Sequence, residues 1–321
     1  MKKNSIISIM LVLMLILAVG CTAEQAAPPV EESEQEQAEK PVVPETPEVE
    51  EPRDEFNPQI LFNGSSTLAP VMASISTNFI EGFVTWDKVD ASFPEENIAI
   101  YVSAGGSGQG VKSVIDKTSD FGMVARTVKD SEKEQLPELQ EFLVGIDALT
   151  LGVNPSNPVL SVKDDLTKDE IVKIFSGEYK TWRDLDASLP DKEIIVVTRD
   201  IGGGAHEVFQ SKIMGDVDVK ADAIQAPSMG ALVTKIIENE YAIGYASFGL
   251  VNQNVGKVGT IKVDGVEATK ENIINGSYII QRPLIAIING EFTESQQAFI
   301  DYVMSEEGMA LVEEMGFVPA K

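Results

Sequence analysis

The sequence predicts an α/β fold, and three observations carry that expectation. Short apolar, β-branched runs alternate with helix-compatible segments along most of the chain. Three of the strand-to-helix turns are built from Gly, Ser or Thr. Only the N-terminal end, up to about residue 56, lacks any hydrophobic period. The stretch Ile194–Phe209 shows the design most plainly. Its β-branched run Ile194–Thr198 predicts a buried strand, Arg199 sits at the strand's end, Gly202-Gly203-Gly204 strips the turn of side chains, and Ala205–Lys212 restarts as a helix. Backbone N–H groups at such a helix start point outward without partners and favour an anion. Arg199 adds a permanent charge and a forked donor set suited to oxyanions. Read by itself, the same motif could equally be a tight loop beside a surface charge.

From the beginning, Lys2 and Lys3 precede an apolar run from Ile6 to Val19, followed by Gly20 and Cys21, the only cysteine. A basic tip, a short apolar core and small residues at its end predict an export signal over residues 1–20, too short for a comfortable membrane span. The junction resembles the lipobox of bacterial lipoproteins, which implies that Cys21 becomes the lipidated first residue and anchors the chain on the extracytoplasmic face of the cell membrane. Ala18 departs from the leucine usual there, and the alternative is a plain secretory signal. With one cysteine no internal disulfide can form. Residues 21–56 are rich in Glu, Pro, Ala and Val. From Thr22 to Glu55, twelve acids face only Lys40 and Arg53, a net charge of −10. Such a segment predicts a disordered, self-repelling tether. The whole chain carries −26, which leaves −18 on residues 57–321 once the tether and the two signal lysines are set aside. That excess excludes nucleic acid as a partner class and requires any anion site to rest on directed donors.

Within residues 57–321, Gln59–Asn63 predicts a strand, Gly64-Ser65-Ser66-Thr67 a break, and Leu68 to about Phe83 a helix with Pro70 in its first turn. Ile98–Ser103 is the next strand, followed by Ala104–Gly110 and a helix with Val111, Val114 and Ile115 on one face. This glycine-rich turn has neither the Gly-Lys-Ser/Thr end of a Walker loop nor dinucleotide spacing. Further strands are predicted at Asp120–Arg126, Asp147–Asn154, Tyr241–Phe248 and Ile279–Ile288, with largely parallel sheets. Thr167 and Glu170 form a capping-box pattern before a helix ending at Gly177, and Ser295–Glu314 predicts a long helix with a break near Gly308. No internal repeat is evident. Three turns of one type in one chain point to a single anion pocket assembled from helix N-termini.

In order along the chain, Gly64–Pro70, Gly105–Lys112, Asp120-Phe121-Gly122, Asp147, Val153-Asn154-Pro155, Phe175–Glu178 with Thr181-Trp182, Ile243-Gly244-Tyr245, Arg282-Pro283-Leu284 and Ser305–Gly308 match a known pattern. From Leu61 to Pro319 the chain resembles the phosphate-binding proteins of bacterial phosphate ABC transporters. The resemblance implies a two-lobed type II periplasmic-binding-protein fold with the ligand cleft between lobes. The expected boundaries are 57–148 for the first part of lobe one, 149–254 for lobe two and 255–321 for the return to lobe one, with hinges near Asp147–Leu151 and Phe248–Gly256. It implies ligand contacts at Ser66, Thr67, Ser107 and Arg199. Ser65, Gly108, Arg126, Gly203, Gly204 and Ala205 complete the candidate set. It further implies inorganic phosphate or a related anion as ligand, a membrane permease as partner, and a monomer.

The matching shell is incomplete. Ala125 stands where the family places Asp or Ser, and Gly203 and Ala205 replace a Ser and a Thr. A buried oxyanion oxygen left without a donor costs about 1–3 kcal/mol, so the substitutions keep open a different small ligand or a non-transporting surface sensor. Restoring Ser at 203 and Thr at 205 is expected to raise phosphate affinity. His206, the only histidine, has neither a nucleophile in sequence reach nor a second ligating Cys or His. No catalytic residue, metal or cofactor is therefore expected, and the chain reads as a binding protein rather than an enzyme.

Overall fold

The computed structural model describes residues 56–320, which belong to one compact unit. The export signal, Cys21 and all of the tether except Phe56 lie outside the described residues.

The chain starts with β1 (Gln59–Gly64), α1 (Leu68–Phe83), the short α2 (Trp86–Val89), β2 (Ala99–Ala104), α3 (Ser107–Ile115), β3 (Phe121–Val124) and the single-turn α4 (Asp130–Lys133). The long β4 (Leu139–Val153) leads into β5 (Asp165–Leu166), α5 (Lys168–Ser176), α6 (Trp182–Leu185) and β6 (Ile195–Arg199). Then come α7 (Gly204–Phe209), which runs into a π turn over Gln210–Met214, β7 (Ile224–Ala226), α8 (Met229–Glu238), β8 (Ala242–Ser247) and α9 (Phe248–Gln253). The chain closes with β9 (Gly259–Val263), α10 (Lys270–Ile274), β10 (Gln281–Asn289), α11 (Glu294–Val303), α12 (Glu306–Glu314) and β11 (Val318–Pro319).

Local chemistry accounts for the ends of these elements. Thr167 accepts from the Glu170 N–H while the Glu170 carboxylate accepts from the Thr167 N–H, and Gly177 ends α5 at φ 81°. In α1, Leu68, Val71, Met72, Ile75 and Phe79 are buried at helical spacing. The C-terminal helix is two helices. Ser305 accepts from the Gly308 N–H and starts α12, so the break falls at Met304–Ser305, ahead of Gly308.

The main strand order is β2-β1-β3-β10-β4-β8-β6-β7. The flanks are parallel, with β1 between β2 and β3 and β6 between β7 and β8. The centre is not. β10 runs antiparallel to β3 and β4, and β4 antiparallel to β8 and β9. The expected largely parallel sheet is thus a mixed one, because β4 and β10 are long strands that pair directly rather than through a helical crossover.

Two large cores flank this centre. One gathers α1, β1, β3 and the C-terminal helices around Phe62, Phe79, Phe121 and Phe299. The other gathers the segment from Ala148 to Ile280 around Phe175, Trp182, Phe209 and Tyr245. Val258, Ile261, Val263, Ile273 and Tyr278 belong to the second core. The chain therefore returns to the first core at Gln281, not at residue 255. The two crossings lie side by side, since Gln281 pairs with Ala148 and the Leu149 N–H donates to Ile280 O at 2.8 Å.

The fold also exposes a repeat that is not evident from residue periodicity. Thr85-Trp86 through Ile98 and Thr181-Trp182 through Ile194 share Asp-Ala-Ser and Pro at equal offsets. Trp86 and Trp182 are both fully buried, donating Nε1–H to Pro58 O and Tyr241 O. Asp90 and Asp186 each accept from the N–H and Oγ–H of the serine two residues on. Each copy leads into a strand, β2 or β6, and then into a glycine turn that starts a helix, α3 or α7. The two lobes thus carry equivalent turns, and these meet.

Candidate anion-binding site

The site is a ring of contacts among four helix starts. Ser66, at the end of the first turn, accepts from Arg199 Nη1 at 2.9 Å and from the Met229 N–H that begins α8 at 3.2 Å. Thr67 accepts from Arg282 Nη2 at 2.9 Å. Ser107, which opens α3, accepts from the Ala125 N–H at 3.0 Å. Gly204 opens α7 opposite Ser107, and a Cβ there would lie 2.3 Å from Ser107 Oγ and 3.4 Å from Ala125 O. Only glycine allows that approach. Gly106 and Gly108 face Gly202 O in the same contact.

A hydroxyl that accepts a protein N–H still has its own proton to give. Ser66, Thr67 and Ser107 are each held in that way, so three O–H donors belong to this ring. Among the described residues nothing accepts from the N–H groups of Gly204 and Ala205, as expected for the first positions of a helix. Arg199 is buried, and its Nε and Nη2 hydrogens go to Asp200 Oδ1, Ala226 O and Pro227 O. With one Nη1 hydrogen on Ser66, one N–H of the guanidinium remains without a protein acceptor.

Each arginine here arrives with its own carboxylate. Arg199 pairs with Asp200 at 2.6 Å. Arg282 and Asp147, both buried, pair through Arg282 Nε and Nη2 at 3.0 and 2.8 Å, and Ser247 Oγ donates to the other Asp147 oxygen at 2.9 Å. Arg282 is fully desolvated, which pulls its guanidinium below its ordinary value, and Asp147 opposes that pull. The site thus offers directed dipoles rather than net positive charge.

The candidate residues divide on this geometry. Ser66, Thr67, Ser107, Arg199, Gly203, Gly204 and Ala205 lie in the ring or at its edge, with Gly108 just behind it. Ser65 is a helix cap, its Oγ accepting from Thr67 and Leu68 N–H groups. Arg126 is engaged by carboxylates outside the ring. Glu132 binds it through two hydrogen bonds of 2.8 and 2.7 Å, and Glu207 lies 2.9 Å from its Nε. Burial alone would raise Glu132, but the Arg126 hydrogen bonds and the Lys129 N–H hold it below its usual range. Restoring Ser at 203 also meets an obstacle, because a Cβ on Gly203 would lie 2.9 Å from Arg199 Nη2 and 3.1 Å from Asp200 O.

Asp147, Arg282, Ser247 and the α8 N-terminus were not among the candidates. Their signal was an Asp and an Arg placed singly in two otherwise apolar strands, where an unpaired charge is costly. Behind Arg199, Tyr245 is buried and pushed up to about 12, accepts from the Arg199 N–H, and shares a 2.6 Å hydrogen bond with Thr198 Oγ1. His206 Nδ1 lies within reach of both hydroxyls, 3.3 Å from Thr198 and 3.4 Å from Tyr245.

A profile of the PBP superfamily domain matches residues 30–307. The chain belongs to the PBP superfamily. Within it, the phosphate-binding protein PstS of Staphylococcus saprophyticus is 30% identical over 270 residues, covering 80% of this chain and 78% of that protein. A Clostridium perfringens protein described as a phosphate ABC transporter substrate-binding protein, solved with phosphate bound, is 31% identical with a TM-score of 0.71. The match covers 82% of this chain and all of that one. An ABC-type phosphate transport receptor from Vibrio cholerae is 25% identical with a TM-score of 0.63, over 81% and 99% of the two chains. The two-lobed fold of this PBP-superfamily chain is therefore shared with phosphate-binding proteins. Among its described residues, no group of His, Cys, Asp and Glu is placed to hold a metal, and no helix is long and apolar enough to cross a membrane.

Two outcomes follow from the buried groups. Asp147→Ala leaves Arg282 buried without its counter-charge and is expected to lower stability by about 3–5 kcal/mol in urea denaturation. Burial holds His206 below its usual 6.5, with Arg199 acting the same way and Asp200 and Glu207 opposing. As the unfolded chain then takes the proton first, this residue's contribution is complete above about pH 6.5 and is lost as pH falls towards the folded value. The single imidazole, followed by NMR in protein without a histidine tag, should titrate below 6.5.

Proposed function

We propose that this chain is the solute-binding lipoprotein of an ABC importer and that it holds phosphate between its lobes. The observation that carries this reading is the ring of Ser66, Thr67, Ser107 and Arg199 facing the start of α7, in a chain 31% identical to a protein solved with phosphate bound. Hydroxyl protons, free helix-start N–H groups and one guanidinium N–H suit the oxygens of a tetrahedral anion. The Ala125 and Ala205 positions supply no side-chain donor, so backbone N–H groups carry the contacts that hydroxyls would otherwise make.

The two lobes are taken to be residues 57–148 with 281–321, and residues 149–280. The adjacent crossings at Ala148–Leu149 and Ile280–Gln281 form the hinge. Cys21 is taken as the lipidated residue, the acidic tether as the spacer, and a membrane permease as the partner of the closed form. The site is read as one that binds and releases its ligand without chemistry, in a monomer on the extracytoplasmic face.

Calorimetric titration with phosphate, with sulfate and a phosphate ester alongside, tests the reading. Phosphate is expected to bind best. Arg199→Lys and Gly204→Ala should each weaken it at least about tenfold, since the first loses the fork on Asp200 and Ser66 and the second wedges the two turns apart. Absence of phosphate binding by the folded, unaltered chain would overturn the proposal.

A further inference from the structure

Outside the ring, two acidic side chains join the lobes, Glu313 through Lys270 and Glu207 beside the Ser107 turn. Glu207 is the fourth residue of α7, whose Ala205, Val208 and Phe209 pack in the second core. Its carboxylate Oε2 lies 2.9 Å from Arg126 Nε and 2.9 Å from Lys129 Nζ. Both cations follow β3 and belong to the other lobe. Arg126 is 4% exposed and is fixed from its far side by Glu132 and by Thr127 O. Glu132 is fixed in turn by the Lys129 N–H at 2.9 Å. The Arg126 Nε–H has no hydrogen-bond acceptor among the described residues, and its angle to Glu207 leaves that contact an ion pair only. A buried, rigidly held donor therefore faces the other lobe with Glu207 as its counter-charge.

We propose that Glu207 is a positioning residue for ligand binding, a charged latch that holds the start of α7 against the Ser107 turn. The proposal rests on the anion-site reading. α7 presents Gly203, Gly204 and Ala205 to the ring, and Glu207 lies one helical turn further on, so its ion pairs set how closely that end approaches Ser107. Before any ligand arrives the latch already favours the closed arrangement. Ligand affinity then rises with the closed fraction, because the observed dissociation constant is the intrinsic one divided by the competent population. The latch is partly exposed at Lys129, and salt weakens it.

The test uses the full chain with Cys21→Ala and spin labels on Ala91→Cys and Ala187→Cys, the exposed tips of the repeated segment in each lobe. Without ligand, Glu207→Gln should shift the inter-label distances to longer values, and phosphate should bind about tenfold more weakly. Raising salt from about 0.05 to 0.5 M should lengthen the distances in the unaltered chain by more than in Glu207→Gln. Lys129→Gln, at a half-exposed side chain that does not threaten folding, should shift both readouts the same way by less. Unchanged distances in Glu207→Gln and Lys129→Gln would overturn the latch. If phosphate fails to bind the unaltered chain, the function proposal falls, and the distances alone still judge the latch.

Discussion

In a chain with a net charge of −26, an anion can be held only by donors that are aimed and kept in place. The buried Arg282–Asp147 pair carries most of that constraint. Arg282 reaches Thr67 in the first turn, Asp147 fixes Ser247 at the end of β8, and both lie on the central antiparallel strands. Removing the charges together could be harmless, whereas removing one leaves the other stranded in the interior. Arg199 follows the same rule with Asp200. The site can thus be electrostatically neutral at its arginines and still present N–H and O–H dipoles to an anion.

The repeated Thr-Trp segments explain why the turns are placed so well. Each lobe uses a buried Trp and an Asp–Ser turn to feed one strand into one glycine turn, so the two turns arrive facing each other. Ser107 on one side and Gly204 on the other then fit because one has a side chain and the other has none. Motion about the paired crossings at Ala148 and Gln281 would open and close that contact. Glu207 adds a charge contact on the same path.

Much of this was legible in the sequence, and the failures have physical causes. The strand–turn–helix units around Ser66, Ser107 and Gly203 were readable because glycine and hydroxyl residues punctuate apolar runs. The capping box at Thr167 was readable for the same reason. The antiparallel centre was not, since β10 and residues 144–153 of β4 are largely buried on both sides and look like parallel strands by composition alone. The packing of residues 258–280 in the second core was hidden because their short strand and helix carry the same α/β pattern as the rest of the chain. The ion pairs of Arg126 are not readable along the chain because Glu132 and Glu207, which engage it, lie six and eighty-one positions away. The Thr-Trp repeat went unseen because its copies share turn residues and one Trp each rather than a hydrophobic period.

The most direct test of the account is a crystal structure of the phosphate complex. Phosphate oxygens are expected within hydrogen-bond distance of the Ser66, Thr67 and Ser107 hydroxyls, the Arg199 guanidinium and the N–H groups of Gly204 and Ala205. Arg282–Asp147 and Arg199–Asp200 would remain intact behind them. Phosphate bound elsewhere, or bound only after Arg199 leaves Asp200, would contradict it.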